Sequence, residues 1–315
     1  ILPEGLEALE ALGVVPDGMP IRGIEYHDPR AGFARASFKG CSGRGVRRVT
    51  LVTSLLEACR GVVTLRDGCA VKVAETSAEG WRLTTGHEVV QARYLVAADG
   101  PRSPLRKQFE LDAPPPLKRR RFGWRQHVHM PVQTDHVEVH WADGCEAYLT
   151  PVAPDEMGVA VLWSAGMDVP QGRDRFAQWM TRFEGLQGRF DHVEMASTGR
   201  GIGPMAVATR RAAFGGGCFV GDALCFYDGI TGEGLSAAFV QAHILAEVVP
   251  KILRGEEQAA LNRLLWGTVG SKKRLAQLVL KLHDHPGLRK RVIRLFAKRP
   301  KVFEWALMKG VGATA

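Results

Sequence analysis

Sixteen consecutive residues carry the clearest chemical signal in this chain: Gly221-Asp222-Ala223-Leu224-Cys225-Phe226-Tyr227-Asp228-Gly229-Ile230-Thr231-Gly232-Glu233-Gly234-Leu235-Ser236. The apolar Cys218-Phe219-Val220 just before them predicts a short buried strand. Leu235, Ala238, Ala242, Leu245 and Val249 predict a long helix after them. An Asp at the carboxyl end of a strand is placed to accept hydrogen bonds from a sugar hydroxyl. Glycines at a helix start let backbone N–H groups approach an anion or a ring carbonyl, and the helix dipole favours the negative end of such a group. Gly221, Asp222, Thr231, Gly232, Glu233 and Gly234 are therefore candidate binding residues.

A second strand–turn arrangement lies upstream. Tyr94-Leu95-Val96-Ala97-Ala98 is a near-continuous apolar run, as a buried parallel strand requires. It leads into Asp99-Gly100-Pro101-Arg102-Ser103-Pro104-Leu105-Arg106, where Ser103 and Arg106 stand at the start of a short helix. Asp-Gly is a common turn dipeptide, so Asp99 and Gly100 gain weight from the longer arrangement downstream. His283-Asp284-His285 looks like a ligand cluster, yet it precedes Pro286 at a helix end with no Cys or Glu beside it. It reads as a solvated helix terminus, and no metal site is expected. The six cysteines form no Cys-x-x-Cys pair and read as free thiols, mostly in the core.

The elements that position these residues follow from periodicity. A short helix carries Leu6, Leu9 and Leu12 and ends at Gly13. Strands are expected at 21–26 and 32–38, a helix over 49–60, and short strands at 62–65, 70–75, 81–84 and 89–92. A Pro-rich joint, Ala113-Pro114-Pro115-Pro116 with Lys118–Arg121, marks a boundary. Beyond it four β runs are expected, at 122–130, 137–141, 146–150 and 157–163, with Val137, Val139 and Trp141 alternating against Glu138 and His140. A helix follows over 174–183, and three helical pieces broken at Pro286 and Pro300 end the chain.

Taken together, the Asp-Gly and Gly-Asp arrangements resemble the motifs of the class A flavoprotein monooxygenases and their relatives, the geranylgeranyl reductases and flavin halogenases. Val46-Arg47-Arg48-Val49-Thr50-Leu51 is similar to the family segment in which an Arg, three residues before a Leu, reaches the FAD, which implies that role for Arg48. The resemblance runs from Leu2 to about residue 310. It implies an α/β fold: a Rossmann-like three-layer FAD domain (1–20, 46–112 and 204–250) interrupted by a β-sheet substrate domain (21–45 and 113–203), with a C-terminal helical tail (251–315). It also implies FAD as cofactor and NAD(P)H as hydride donor. Activity is then either hydroxylation of an apolar or aromatic small molecule or reduction of an isoprenoid double bond. Cys225 and Gly229 replace residues frequent in hydroxylases, Thr231-Gly232-Glu233-Gly234 looks more like the reductases, and no Trp-x-Trp-x-Ile-Pro of tryptophan halogenases is present. His127, His129, His140 and Tyr148 in the β segment are candidate substrate contacts, and no catalytic residue is assigned.

The family's opening Gly-x-Gly-x-x-Gly is missing. Gly201-Ile202-Gly203-Pro204-Met205-Ala206 is a near match without the strand before it or the helix after it. The chain is accordingly expected to be N-terminally truncated, to lack the first βαβ unit and to hold FAD poorly by itself. A flavin-free binding module is the competing reading.

Composition bounds the rest. With 315 residues, 45% hydrophobic and 24% charged, the chain suits one large or two interlocked domains. No run reaches the roughly 18 uncharged apolar residues of a membrane span and no leader is seen, so a cytoplasmic location is expected. The net charge is +9, but residues 272–309 alone carry a net +10. That local basicity, without base-reading or stacking residues, excludes a nucleic-acid reader. It suits either a solvated cover or peripheral contact with an anionic membrane. The oligomeric state is not readable.

Overall fold

The computed structural model describes residues 1–113, 120–256 and 258–310; Pro114, Pro115, Pro116 and Lys118 of the expected joint lie outside them. Nine-residue strands with every second residue apolar build the largest sheet. In spatial order it runs Glu194–Met195, Arg121–His129, Glu156–Ser164, Cys145–Ala153, His136–Ala142, Gly23–Asp28, Gly32–Ser37, and Arg200–Ile202 also pairs with Arg121–His129. Pairing is antiparallel except between His136–Ala142 and Gly23–Asp28, where Val139 stands beside Tyr26. So residues 23–37 and those beyond 120 meet in one sheet, although the chain between them runs elsewhere.

Alternation assigns the two faces of this sheet. Trp124, Val128, Cys145, Ala147, Leu149, Met157, Val159, Val161 and Trp163 bury one face against Phe176, Trp179 and Met180 of helix Arg175–Met180. The residues between them, Arg121, Gly123, Arg125, His127, Glu146, Tyr148 and Leu162, therefore look the other way. There Leu162 packs with Met205 and Ile230.

A second, three-stranded sheet is small and holds both sequence motifs. Gly217–Phe219 runs parallel to Leu95–Ala97, with Ala213–Phe214 on the outer edge. Parallel strands share one carboxyl end, so the Asp99-Gly100 turn and the Gly221-Asp222 turn emerge side by side. One layer over it is the antiparallel sheet Val73–Ser77, Gly80–Thr84, Val89–Ala92, held through the Trp81 indole N–H donated to the Gly216 carbonyl at 2.9 Å. Helices Gly234–Ile252 and Ala259–Asp284 supply the other layer, with Leu261, Leu265 and Val269 in the shared core.

Three expectations change. Residues 62–65 form no strand: the Val62 and Val63 amides turn back onto the Cys59 carbonyl at the end of helix Arg48–Cys59, which leaves Val62 79% exposed. Glu138 and His140 alternate as predicted but do not face water, because residues 184–189 cover that face. Helix Gly234–Ile252 is long and apolar enough to cross a membrane by length and composition. Yet its Gln241 accepts from the Gly221 amide at 2.6 Å and donates to Thr268 at 2.8 Å, and its His243 bonds the Ala8 carbonyl at 2.8 Å. Those bonds tie the helix into the small-sheet half on both sides. The tail breaks at Pro286 and Pro300 as the sequence suggests, into Ala259–Asp284, Pro286–Lys298 and Pro300–Gly310.

Candidate cofactor site

Gly221 has a φ of +56°, a conformation costly for any side chain, and it starts a four-residue helical turn that carries Asp222. Asp222 is half-buried and no hydrogen bond or ion pair holds its carboxylate among the described residues. Burial raises its pKa, and the positive charge of Arg48, at the first position of helix Arg48–Cys59, opposes the rise. The structure thus brings Arg48 to the Gly-Asp motif across 174 residues of chain. Gly234, the first residue of the 19-residue helix, sits against the Asp222 carboxylate, where a side chain would begin 3.7 Å from Oδ1. Gly232, with φ +68°, and Gly100, with φ +79°, both border open space in which an added Cβ would meet nothing within 4 Å.

Asp99 also holds its own turn together. Its Oδ2 accepts from the Ser103 hydroxyl at 2.8 Å and from the Leu105 amide at 3.2 Å, while Ser103 Oγ accepts from the Arg106 amide at 2.9 Å. That is a cap on helix Pro104–Gln108. The cap presents Arg106, which is fully buried. Its guanidinium donates to the Pro101 carbonyl at 2.7 Å, to the Ala223 carbonyl at 2.8 Å and to Asp112 at 2.5 Å. Arg106 is therefore the rivet between the two motifs.

The large sheet faces this cradle. Tyr148 donates its hydroxyl to the Ile230 carbonyl at 2.9 Å, inside the Gly-Asp loop. Beside it Arg121 pairs with the fully buried Glu146 and, at 3.1 Å, with Asp228 of the same loop. Asp228 accepts from the Ile230 amide at 2.9 Å, and burial lifts its pKa to about 6 against the pull of Arg121. Glu146 is also held at 2.6 Å by His283, whose other ring nitrogen meets the Ser164 hydroxyl at 2.9 Å. His283 is thus buried, and the solvated-terminus reading of it is corrected: packing of the tail helix drives that end into the sheet. The sequence placed Glu146 in an expected strand and Arg121 in the joint before one, and nothing local marked His283 as their partner.

Of the other candidates, His127 lies on the cradle-facing side of the sheet. Burial, then the nearby Arg47 and Arg125, push its pKa down to about 4. Arg125 in turn stands directly opposite Arg200 and feels Arg48 and Arg47, so positive charge gathers at this corner, where Glu156 pairs with Arg47 at 3.1 Å. His129 is exposed at the far end of the strand. His140 lies on the opposite face, away from the Gly-Asp loop, with Nε2 at 2.9 Å from Glu138 and its ring stacked on His27 at 4.3 Å. It is corrected to a structural histidine. His27, His140 and Glu138 offer ligating atoms close together. Arg189, however, takes both Glu138 oxygens at 2.5 and 2.7 Å, and rings only 8° from parallel do not converge on a point. Glu233 is buried without a hydrogen bond to either oxygen, 3.9 Å from Lys272; burial raises its pKa to about 7, opposed by Lys272 and the nearby Thr231 hydroxyl. The thiols of Cys145, Cys218 and Cys225 are pushed up to about 12, 11 and 11, chiefly by burial, which leaves them poor nucleophiles.

The acidic limb of stability should report on His127. The unfolded chain takes up this proton near pH 6.5, while the folded chain resists until about 4, so stability falls as pH drops through that window. His127→Gln should flatten the melting-temperature profile between pH 7 and 5. Superimposable profiles for the two proteins would reject the assignment.

A carboxylate at a strand end, a glycine cradle and a covering β-sheet are the parts of a dinucleotide site. Residues 72–264 match the model of a family described as an FAD binding domain. The chain belongs to this family. It falls within the class A flavoprotein monooxygenase superfamily. No curated protein matches. A flavoprotein/dehydrogenase from Cytophaga hutchinsonii has a similar structure, at TM-score 0.81 and 18% identity over 99% of this chain and 82% of that one. The flavin-dependent brominase Bmp2 aligns at TM-score 0.83 and 14% identity over 99% and 83%. HpxO of Klebsiella pneumoniae, solved with FAD and uric acid, aligns at 0.73 and 18% over 99% and 86%. At such identities the likeness is one of fold.

The residues fit the cofactor that the family name states. Asp222 has a free acceptor for a polyol hydroxyl, Gly232 and Gly100 leave room for backbone approach, and the start of helix Gly234–Ile252 offers N–H groups with a favourable dipole.

Proposed function

We propose that this chain acts as an NAD(P)H-dependent FAD monooxygenase that hydroxylates an apolar or aromatic small molecule. The observation that carries the reading is the opposition of two surfaces: the Gly-Asp loop with Asp222 and Gly232–Gly234, and the sheet face with Tyr148 and Arg121 bonded to that loop. Bound flavin supplies the redox chemistry, taking hydride and activating O₂. The protein's part is to hold, orient and keep dry. Arg48 and Asp222 are placed to anchor the cofactor, Tyr148 and Arg121 to fix the loop against the sheet, and Leu162, Met205 and Ile230 to exclude water.

A second reading, reduction of an isoprenoid double bond, is favoured by Glu233. Saturating a C=C bond consumes a hydride and a proton, and a buried carboxyl with a pKa of about 7 beside the Gly-Asp loop could supply the proton. Oxygen and NAD(P)H consumption separate the readings. A monooxygenase consumes both in step with an aromatic substrate, whereas a reductase works without oxygen. Asp222→Ala should weaken FAD binding at least tenfold in a flavin-fluorescence titration of the full-length protein, since an acceptor is removed from a polar ligand. Unchanged affinity would refute the cofactor assignment of this motif.

A further inference from the structure

The last two helices present a surface that the flavin chemistry does not use. Helices Pro286–Lys298 and Pro300–Gly310 both lie on the edge strand Gly32–Ser37 and the helix before them, with Ile293, Phe303, Leu307 and Met308 turned into the core. Because both bury their inner faces against one strand, their outer faces look the same way. Along those outer faces stand Leu288 (43% exposed), Leu295 (49%), Val302 (40%) and Trp305 (62%), at helical spacing. A large indole left in water beside three aliphatic side chains is unusual for a merely solvated face.

Charge decides what such a surface fits. Lys290, Arg291, Arg294, Lys298, Lys301 and Lys309 lie on the same two helices, with Arg299 at the joint between them, and none of the seven forms an ion pair among the described residues. The acidic residue present, Glu304, is taken by Lys39 at 3.4 Å, and the buried Arg289 is neutralised by Asp28 at 2.6 Å. Lys309 lies over the Trp305 ring, 5.6 Å from its centre, as amphipathic side chains do where one end is apolar and the other wet. Rows of cations alternating with exposed apolar side chains on one face are the arrangement of helices that lie in a bilayer interface.

We propose that this face docks on an anionic lipid bilayer, with Leu288, Leu295, Val302 and Trp305 entering the headgroup boundary and the seven cations meeting lipid phosphates and carboxylates. The attachment is peripheral, and it is independent of FAD. It holds the large-sheet edge at the membrane, so a substrate carried in the bilayer need not cross water to reach the enzyme.

Flotation of the full chain tests this with three vesicle conditions: phosphatidylcholine alone, phosphatidylcholine with about one third phosphatidylserine, and the latter in high salt. The expected result is at least tenfold more bound protein on the anionic vesicles in low salt, most of it released by salt. Arg291→Glu with Lys298→Glu should abolish binding, and Trp305→Ser should reduce it several-fold, while thermal unfolding stays that of the parent because all three side chains are exposed. Equal flotation on neutral and anionic vesicles, or none on either, overturns the proposal. So does binding that ignores Trp305→Ser and is matched by duplex DNA, which would make the face a general polyanion surface instead.

Discussion

Arg106→Ala should cost about 3–5 kcal/mol of folding stability, on the scale found when one member of a buried charged cluster is removed. The change would empty a fully buried site and strand the Ala223 carbonyl, while Pro101 and Asp112 lose their partner. Each buried group left unpaired costs about 1–3 kcal/mol. Arg106→Lys should recover little, because an ammonium cannot reproduce a planar fork serving three acceptors in different directions. The consequence for function is larger than the loss of stability alone. Ala223 follows Asp222, so loosening its carbonyl frees the turn that aims the carboxylate, and FAD affinity should fall in the fraction that still folds. Urea unfolding together with flavin titration reads both effects. An alanine variant within 1 kcal/mol of the parent would show that the two motifs are held together by something else.

The second large effect belongs to the Arg121–Glu146–His283 network. Glu146→Ala should destabilise by about 3–5 kcal/mol, since it removes the carboxylate that compensates a buried guanidinium and a buried imidazole at once. Arg121 would keep Asp228, 3.1 Å away. The pairing is a matter of specificity as much as of energy: the sheet and the Gly-Asp loop contribute charged groups and the tail helix an imidazole, and the native docking brings them together. Replacing the pair together, Arg121→Met with Glu146→Leu, should therefore cost less than the two single changes summed, because guanidinium and carboxylate leave together, though Asp228, 3.1 Å from Arg121, still loses its partner. Urea midpoints for the single and double variants decide it, and additive losses would sink the network as described.

Much of this fold was written locally. Gly221-Asp222 after Cys218-Phe219-Val220, and Asp99-Gly100 after an apolar run, predicted strand ends that carry turns, because parallel buried strands need unbroken apolar side chains and sharp turns need glycine. Pro286 and Pro300 announced breaks in the tail for an equally local reason, the missing amide of proline. The β runs at 122–130 and 146–150 were legible without showing what Tyr148 or Glu146 would meet, and Arg121 read only as part of the joint before them.

What those residues meet was decided by tertiary structure alone. One oxygen of Asp99 also caps its own helix, while Ser103 and Arg106, read as a helix start, turned out to join the two motifs. His140 resembled His127 in its strand setting, yet one position of phase sends it to the other face of the sheet, onto His27. His283 stood in a polar triplet before a proline and still ended buried against Glu146, more than a hundred residues away in sequence. Local sequence sets which backbone conformation is cheap and which side of an element is apolar. Which charge finds which partner depends on how distant elements dock, because a buried ion is tolerable only where the assembled fold brings its counter-charge within hydrogen-bonding reach.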